Sequence, residues 1–228
     1  MPGVIAHNLF HRVGERRTGV DVLRDVSFEA PAGAVTAVVG PSGAGKTSLL
    51  HLLAGLDRPS GGTVVVAGRP LRGLDDLELT RLRRDRIGLL LPAASVLPTI
   101  TVRENVALPL LIARRAPGPG AVDALLERVG LADKRDDRPD ALTAAERQRA
   151  ALARALVGGP AVLLADEPAG ELDADEAGEL LALLRDVAHE DGVTVVLFTR
   201  DADAAATVAD HMVTLEGGRT AAAALLAA

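Results

Sequence analysis

The chain has 228 residues, of which 48% are hydrophobic and 1% aromatic, so its core must be built mainly from Ala, Val and Leu. The net charge of −6 argues against general nucleic-acid binding, which depends on an excess of Lys and Arg. Cysteine is absent, which excludes disulfides and thiolate metal sites. No apolar run approaches the ~18 residues that a membrane-spanning helix needs, and the N-terminus lacks the pattern of a secretory signal. We therefore expect one cytoplasmic domain over residues 1–228, for which another chain would have to supply any membrane span.

The sequence pattern of residues 1–91 predicts a set of half-buried strands followed by a strand–turn–helix unit. Val26 and Phe28 alternate with polar neighbours, as expected of a strand with one buried face. The continuous apolar run over 34–39 favours a fully buried strand. The elements predicted after this run are a helix over 47–54, a strand over 63–67 and a charged helix over 74–84.

Residues 92–157 have a different pattern, in which prolines separate helical segments, so we interpret them as a helical insertion. The clearest helices are predicted over 121–129 and 144–156. Residues 158–220 return to alternating strands and helices. The elements predicted there are a strand over 162–165, a helix over 175–189, and strands over 193–199 and 212–215. Buried strands that alternate with helices indicate a parallel α/β sheet.

The C-terminal tail, residues 221–228, is rich in alanine. Such a segment predicts either a frayed helix or a disordered end.

The clearest motif is GPSGAGKT, which satisfies the P-loop pattern G-x-x-x-x-G-K-[ST] at every fixed position. A buried strand precedes it and a helix follows, a context that an ordinary glycine-rich turn does not require. Its glycines let backbone N–H groups converge on one anion, and the helix directs its positive end to the same place. Lys46 is expected to neutralise the β- and γ-phosphates, and the Thr47 hydroxyl to ligate Mg²⁺. The residues predicted to bind the phosphates are Gly40, Pro41, Ser42, Gly43, Ala44, Gly45, Lys46, Thr47 and Ser48.

An acidic pair, Asp166 and Glu167, ends the apolar strand predicted over 162–165. Open α/β sheets bind ligands beyond the carboxyl ends of their strands, so we expect this pair to lie beside the P-loop. Asp166 suits a direct or indirect Mg²⁺ ligand, and Glu167 suits a group that orients or deprotonates the attacking water. Acids at a strand end are common in α/β proteins, but together with a P-loop they predict binding of ATP with Mg²⁺. Glu167 and Lys46 are the predicted catalytic residues.

A family resemblance comes from the segment before this acidic pair and from the segment that begins with it. LTAAERQR over 142–149, followed by ALARAL over 151–156, resembles the signature region of ABC ATPases, usually L-S-G-G-[EQ]-x-Q-R and then a helix with A-R-A-L. DEPAGELD over 166–173 resembles that family's D-E-P-T-x-x-L-D, including the D-loop aspartate, Asp173. The similarity extends from about residue 4 to 220. It is closest to the ATPases of lipoprotein-releasing, macrolide-exporting and cell-division systems.

The resemblance implies a P-loop NTPase fold, with a RecA-like parallel sheet, an antiparallel β lobe and a helical subdomain. The β lobe and the P-loop part of the core would occupy 1–91, the helical subdomain 92–157 and the rest of the core 158–220. Such ATPases form head-to-tail dimers in which each ATP lies between the P-loop of one chain and the signature of the other. The implied partners are a second ABC ATPase subunit, identical or different, and transmembrane permease subunits at the inner face of the cell membrane.

This sequence departs from the family pattern at positions that, in the family, sense the γ-phosphate or transmit the closing of the ATPase dimer to its partners. Pro92 stands at the Q-loop, where the family has a Gln that contacts Mg²⁺ and the attacking water. Arg200 stands at the switch position, where the family has His. Arg200 could donate charge-assisted hydrogen bonds to a phosphate or remain solvated, but it cannot shuttle a proton. Val13 aligns near the aromatic residue that stacks on adenine, so we expect looser ATP binding.

The signature itself is also changed, since Thr143, Ala144 and Ala145 replace Ser-Gly-Gly. Thr143 and Glu146 form a T-x-x-E capping box, which could be purely structural. We expect the methyl groups of the two alanines to crowd a close backbone approach and to resist positive φ. The phosphate and Mg²⁺ groups are intact beside these changes, which predicts retained nucleotide binding with slow or partner-dependent hydrolysis.

Three functional alternatives remain at the sequence level. The first is an ATP-hydrolysing transporter subunit, and the second is a degenerate ABC subunit that holds ATP to regulate or scaffold a complex. The third, a P-loop kinase or GTPase, is disfavoured by Glu167 beside Asp166 and by the absence of an N-K-x-D tetrapeptide. The arginine-rich run over 81–86 suits a solvated helix face, or a contact with phospholipid headgroups or a membrane subunit.

Overall fold

A computed structural model describes residues 2–14, 19–91, 96–116, 118, 120–221 and 224–225. The strands in this part of the chain are β1 (Pro2–Val13), β2 (Val20–Pro31), β3 (Val35–Val39), β4 (Gly61–Val66), β5 (Arg69–Pro70), β6 (Ile87–Leu90), β7 (Val162–Asp166), β8 (Thr194–Thr199), β9 (His211–Glu216), β10 (Arg219–Thr220) and β11 (Ala224–Leu225). The helices are α1 (Lys46–Leu53), α2 (Asp76–Arg86), α3 (Val102–Ile112), α4 (Ala121–Arg128), α5 (Ala144–Leu156), α6 (Ala174–Asp191) and α7 (Ala202–Ala206). None of the described helices is long and apolar enough to cross a membrane.

The antiparallel lobe is a sheet with the strand order β2-β1-β4-β5. In β2, Val26 and Phe28 are buried while Ser27 and Glu29 are exposed, which confirms the predicted alternation. The lobe lies against the P-loop end of the molecule, where Arg24 N–H donates a hydrogen bond to the Gly218 carbonyl oxygen at 2.7 Å.

The central sheet has the strand order β10-β9-β3-β8-β7-β6, and β11 pairs with β9. Strands β6, β7, β8, β3 and β9 run parallel, as their buried apolar sequences predict. The order places β8 between β3 and β7, so the strand that leads into the P-loop and the strand that ends in the acidic pair flank the same neighbour. Three separate parts of the sequence therefore finish at one edge of the sheet.

Each face of the central sheet has its own apolar core. Val35 and Ala37 of β3 belong to one core together with residues of α3, α4, α5 and α6. Val38 belongs to the other core, together with residues of α1, α2 and the antiparallel lobe. The segment interpreted as a helical insertion thus shares a continuous core with the sheet, instead of packing only on itself.

The buried side chain of Asn105 in α3 holds the loop that precedes this helix. Its Nδ2 donates to the carbonyl oxygens of Leu97, Ile100 and Thr101, and its Oδ1 accepts from Leu97 N–H. Asn105 is fully buried, so these bonds satisfy a polar group that would otherwise be costly to bury. Pro92, which precedes this region, lies outside the described residues.

Two sequence predictions need correction. The charged helix begins at Asp76, two residues later than predicted, because Asp75 and Glu78 form a capping box at its start. The tail prediction of a frayed helix or a disordered end is wrong at Ala224–Leu225, which pair antiparallel with β9. A strand edge offers unpaired N–H and C=O groups, and this segment pairs with them.

Candidate nucleotide-binding site

The P-loop connects β3 to α1, and two of its glycines are required by close packing. A Cβ at Gly40 would lie 2.1 Å from the Leu215 carbonyl oxygen. Gly45 has a φ of 103° at the N-terminus of α1, and a Cβ there would lie 2.7 Å from Leu23 Cδ2. The loop can therefore adopt this shape only with glycine at both positions, and it leaves the N-terminus of α1 facing the cleft.

Lys46 is held inside the curl of the loop and is only 7% exposed. Its Nζ donates to the carbonyl oxygens of Gly40 at 2.7 Å and Pro41 at 3.2 Å. The same Nζ lies 3.4 Å from Glu167 Oε1. An almost buried ammonium with a carboxylate beside it is placed to exchange that carboxylate for an anionic ligand that enters the cleft.

Asp166 is the last residue of β7 and is 4% exposed. Thr47 Oγ1 donates to its Oδ2 at 3.1 Å, which joins the two predicted Mg²⁺ ligands. Burial raises the pKa of Asp166, and the neighbouring charge of Glu167 raises it further, although the hydrogen bond from Thr47 and the charge of Lys46 act in the opposite direction. A hydroxyl and a carboxylate oxygen are ligands that Mg²⁺ prefers, and a divalent cation would relieve the cost of this buried charge, so the residues fit the metal.

Glu167 follows directly and has a φ of 43°, a left-handed conformation that is uncommon for a residue other than glycine. Its N–H donates to the Phe198 carbonyl oxygen at 2.8 Å, which ties it to β8. Its Oε2 accepts from Thr199 Oγ1 at 3.2 Å and from Arg200 N–H at 3.3 Å. The strained backbone and these two donors fix the carboxylate in the cleft.

Thr199 is a site residue that the sequence analysis missed. It ends β8, and its carbonyl oxygen also accepts from Gly40 N–H at 3.2 Å. The only available signal was its place beside Arg200 at the end of a buried strand. Without the order of the strands, nothing connected it to Glu167.

The site opens into a cleft of about 770 Å³. From the P-loop side it is lined by Ser42, Gly43, Gly45, Lys46, Thr47 and Ser48, and from the acidic strand by Asp166 and Glu167. Arg200 also lines it, as do Ala144, Arg147 and Gln148 at the start of α5. The structure therefore brings six of the nine predicted phosphate-binding residues, both predicted metal ligands and the switch residue to one cleft. Of the predicted signature positions, Ala144 lines this cleft.

The altered signature forms the N-terminus of α5. Thr143 Oγ1 accepts from Glu146 N–H at 3.1 Å, and Glu146 Oε2 accepts from Thr143 N–H at 2.8 Å, which confirms the predicted capping box. Ala144 is exposed to the cleft, but Ala145 is 4% exposed and its methyl group packs in the core. The expected crowding is thus wrong for Ala145, and the argument from positive φ does not apply, because both residues are helical.

Two further predicted positions, Asp173 and Val13, are not among the residues that line the cleft. Asp173 caps α6, where its Oδ1 accepts from Glu176 N–H at 2.9 Å. Val13 is 50% exposed at the end of β1 and is not among the described residues that line the cleft, whereas Val22 of β2 does line it. The predicted Q-loop position, Pro92, lies among the residues that the structure does not describe.

Comparison with known proteins decides the family. A model of the ABC transporter family matches residues 23–170, which include the P-loop, the altered signature and the acidic pair. The chain belongs to the ABC transporter family. The predicted P-loop fold with a RecA-like α/β core is confirmed, as is the interpretation as an ATP-binding, ATP-hydrolysing subunit of an ABC transporter.

Solved ABC structures resemble this chain over almost its whole length. The dimeric, post-hydrolysis ATP-binding cassette MJ0796 bound to ADP and Pi is 30% identical, with a TM-score of 0.88 and 99% of each chain covered. Another dimeric structure of MJ0796, a bacterial ABC transporter cassette, is 31% identical with a TM-score of 0.87 and the same coverage, 99% of each chain. The cbiO1 protein from Clostridium perfringens, part of the ABC transporter complex cbiONQ, is 25% identical with a TM-score of 0.88, and the match covers 98% of this chain and 88% of that one.

The buried charge of Asp166 leads to a prediction about this ABC cassette without nucleotide. A carboxyl group whose pKa is raised by folding contributes stability that is complete below its unfolded pKa of ~3.9 and is lost as the pH rises through the folded value. Asp166→Asn should therefore raise the melting temperature at pH 7.5, and the gain should shrink towards acidic pH. Differential scanning calorimetry between pH 4.5 and 8 measures both effects.

We expect Mg²⁺ to add thermal stabilisation in the presence of ATP, and the same variant should lose this addition. Asp203→Asn, which changes an exposed aspartate of α7, is the matched control and should change neither property. A lower melting temperature for Asp166→Asn at neutral pH would contradict the assignment of Asp166 as a carboxylate whose burial costs stability.

Proposed function

We propose that this ABC ATPase binds Mg-ATP between two cassettes and uses its hydrolysis to drive transmembrane permease subunits at the inner face of the cell membrane. The observation that carries the proposal is the convergence of Lys46 and Thr47 with Asp166 and Glu167 in one cleft. The dimeric MJ0796 structures and the cbiONQ complex that contains cbiO1 support the two kinds of partner.

The triphosphate would enter at the curl of the P-loop. There Lys46 would leave Glu167 Oε1 for the β- and γ-phosphates, and the free N–H groups at the start of α1 would face the same oxygens. Thr47 and Asp166 would hold Mg²⁺, which neutralises phosphate charge when it is bound. Nucleotide binding would thus separate the 3.4 Å contact between Lys46 and Glu167 and free the carboxylate for its next role.

Glu167 is placed to act on the attacking water. As the water oxygen bonds to the γ-phosphorus, the bond from that phosphorus to the bridging oxygen breaks, and ADP leaves with the bonding electrons. Glu167 would accept the proton released by the water, then lose it to phosphate or solvent. The hydrogen bonds from Thr199 Oγ1 and Arg200 N–H to Oε2 keep the carboxylate aimed during this exchange.

Hydrolysis is proposed to be slow in the isolated chain, because the groups that sense the γ-phosphate differ from the family pattern. Arg200 carries a permanent charge and cannot move a proton. The exposed methyl group of Ala144 stands at the N-terminus of α5, where the partner's phosphate would approach. Each lost transition-state contact costs ~10²–10³ in rate.

Glu167→Gln tests the hydrolytic role. The amide cannot accept the proton, so the steady-state ATPase rate should fall at least ~100-fold. ATP binding should persist, and the trapped Mg-ATP should hold two cassettes together. Phosphate release assays measure the rate, and size-exclusion chromatography with light scattering measures the mass with Mg-ATP and with Mg-ADP.

The neighbouring Glu171→Gln is a suitable control, because Glu171 lines the same cleft but is not assigned to the reacting water. If Glu167→Gln changes neither the rate nor the mass, the chain is instead an ATP-holding regulatory or scaffolding module. The exposed Ala144 and the switch residue Arg200 are the observations that favour this second candidate. A wild-type rate typical of active transporters would contradict slow hydrolysis.

Arg200 should contribute more to the binding of ATP than to that of ADP. Its side chain is exposed in the cleft beside Glu167, at a position from which it can reach a γ-phosphate. Since a hydrogen bond to a charged group contributes ~1.5–3 kcal/mol, Arg200→Ala should weaken ATP binding by about tenfold or more. Equilibrium titration with fluorescent ATP and ADP analogues in the Glu167→Gln background checks this expectation.

ADP affinity should be unchanged in that titration, and Arg185→Ala, an exposed arginine of α6, serves as the control. An equal loss of affinity for ATP and ADP would show that Arg200 acts on the nucleotide in general. No loss for either would show that its side chain stays in solvent.

A further inference from the structure

A second charged surface lies where the C-terminal ends of α2 and α3 meet. We define the arginine patch as Arg81 and Arg84 of α2 together with Arg114 and Arg115, which follow α3. Asp85 interacts with Arg84, Arg115 and Arg81. Arg84 Nη2 lies 2.7 Å from Asp85 Oδ2, and Arg115 Nη1 lies 3.8 Å from Asp85 Oδ1. A single carboxylate therefore joins two helix ends that carry four guanidinium groups.

The charge of the patch is strongly positive for a chain with a net charge of −6. The hydrogen bond from Arg84, together with the charges of Arg84, Arg115 and Arg81, holds the pKa of Asp85 below its usual value, so Asp85 stays ionised. Within the described residues, no ion pair neutralises Arg81 or Arg114. Three positive charges of the patch thus remain in excess.

The backbone at Arg114 shows that arginine is present there against the local conformational preference. Arg114 has a φ of 54°, which favours glycine. Its N–H donates to the Leu111 carbonyl oxygen at 3.0 Å, and Arg115 N–H donates to the Leu110 carbonyl oxygen at 2.9 Å. This is the Schellman ending of a helix, in which glycine normally takes the position of Arg114 and an apolar side chain often takes that of Arg115.

Helix α4 has the same ending with the ordinary residues. Gly130 N–H donates to the Glu127 carbonyl oxygen at 3.0 Å, and Leu131 N–H to the Leu126 carbonyl oxygen at 2.7 Å. Gly130 has a φ of 70°, and Leu131 is fully buried. The comparison shows that helix termination alone does not require arginine at the end of α3.

Two apolar side chains extend from the same helix end into solvent. Leu111 is 59% exposed and Ile112 is 71% exposed, directly before the two arginines. An aliphatic pair beside several arginines is the composition of surfaces that insert into an anionic bilayer interface. There the guanidinium groups bind lipid phosphates and the apolar groups enter the acyl boundary.

We propose that the arginine patch, with Leu111 and Ile112, binds directly to the anionic phospholipid surface of a membrane. This contact is additional to anchoring by permease subunits and independent of nucleotide turnover. It would orient the cassette on the membrane through charge complementarity, because the net negative charge of the rest of the chain is repelled by anionic lipid.

Arg114→Gly separates this role from a structural one. Glycine removes the strained conformation, so the melting temperature should stay the same or rise. Binding to vesicles of 70% phosphatidylcholine and 30% phosphatidylglycerol should weaken about fivefold, the share expected of one arginine at an anionic surface. Flotation of the full chain with these vesicles, and with phosphatidylcholine alone, measures the binding at low and moderate salt.

The wild-type chain should float with the anionic vesicles only, and less at the higher salt concentration. Leu111→Ser combined with Ile112→Ser should also weaken binding, while the controls Arg185→Ala and Val20→Ser, at exposed positions elsewhere, should not. Equal binding to both vesicles, unchanged binding by Arg114→Gly, or no flotation at all would overturn the proposal.

Discussion

The order of three strands, β3-β8-β7, is the constraint on which the site depends. It brings the P-loop, the end of β8 and the acidic pair to one edge of the sheet, although long segments separate them in the sequence. The backbone at the end of β8 contacts both sides, since Thr199 accepts from Gly40 N–H and Phe198 accepts from Glu167 N–H. The distances between Lys46, Asp166 and Glu167 are consequences of this arrangement.

This edge of the sheet combines buried charges, which an oppositely charged ligand could offset, with a strained backbone at Glu167. Asp166 is buried with a raised pKa, Lys46 is nearly buried, and Glu167 has a left-handed backbone. Lys46 and Glu167 partly neutralise each other at 3.4 Å. In the proposed mechanism, phosphate oxygens would replace Glu167 beside Lys46 and a metal ion would offset the charge of Asp166, so ligand binding would release the Glu167 carboxylate.

Sequence reasoning located the parts of the site that depend on local pattern. The P-loop, the buried strand before Asp166 and the bounds of α5 follow from glycine spacing, apolar runs and the Thr143–Glu146 capping box. It did not find Thr199, because strand order is a long-range property. It also wrongly predicted that the Ala145 methyl group crowds the signature. The direction of this side chain depends on where α5 begins and on which face of that helix packs against the core.

Other differences have similar physical causes. The predicted start of α2 differs from the observed one because the prediction does not include the cap at Asp75. The strand at Ala224–Leu225 forms because the edge of β9 offers hydrogen-bonding groups. No sequence pattern assigns a role to the two arginines after α3. Their proposed role in membrane binding depends in part on the φ of Arg114, which is the conformation that glycine adopts at the end of α4.

Isothermal titration calorimetry with Mg-ATP shows whether the P-loop and the acidic pair bind a metal-bound triphosphate, and it requires neither turnover nor a partner chain. We expect a saturable binding heat for the wild-type chain. Lys46→Ala should lose that heat, and the control Lys134→Ala, which alters a lysine remote from the P-loop in sequence, should keep it. No heat with the folded wild-type chain, or the same heat with Lys46→Ala, would contradict this expectation.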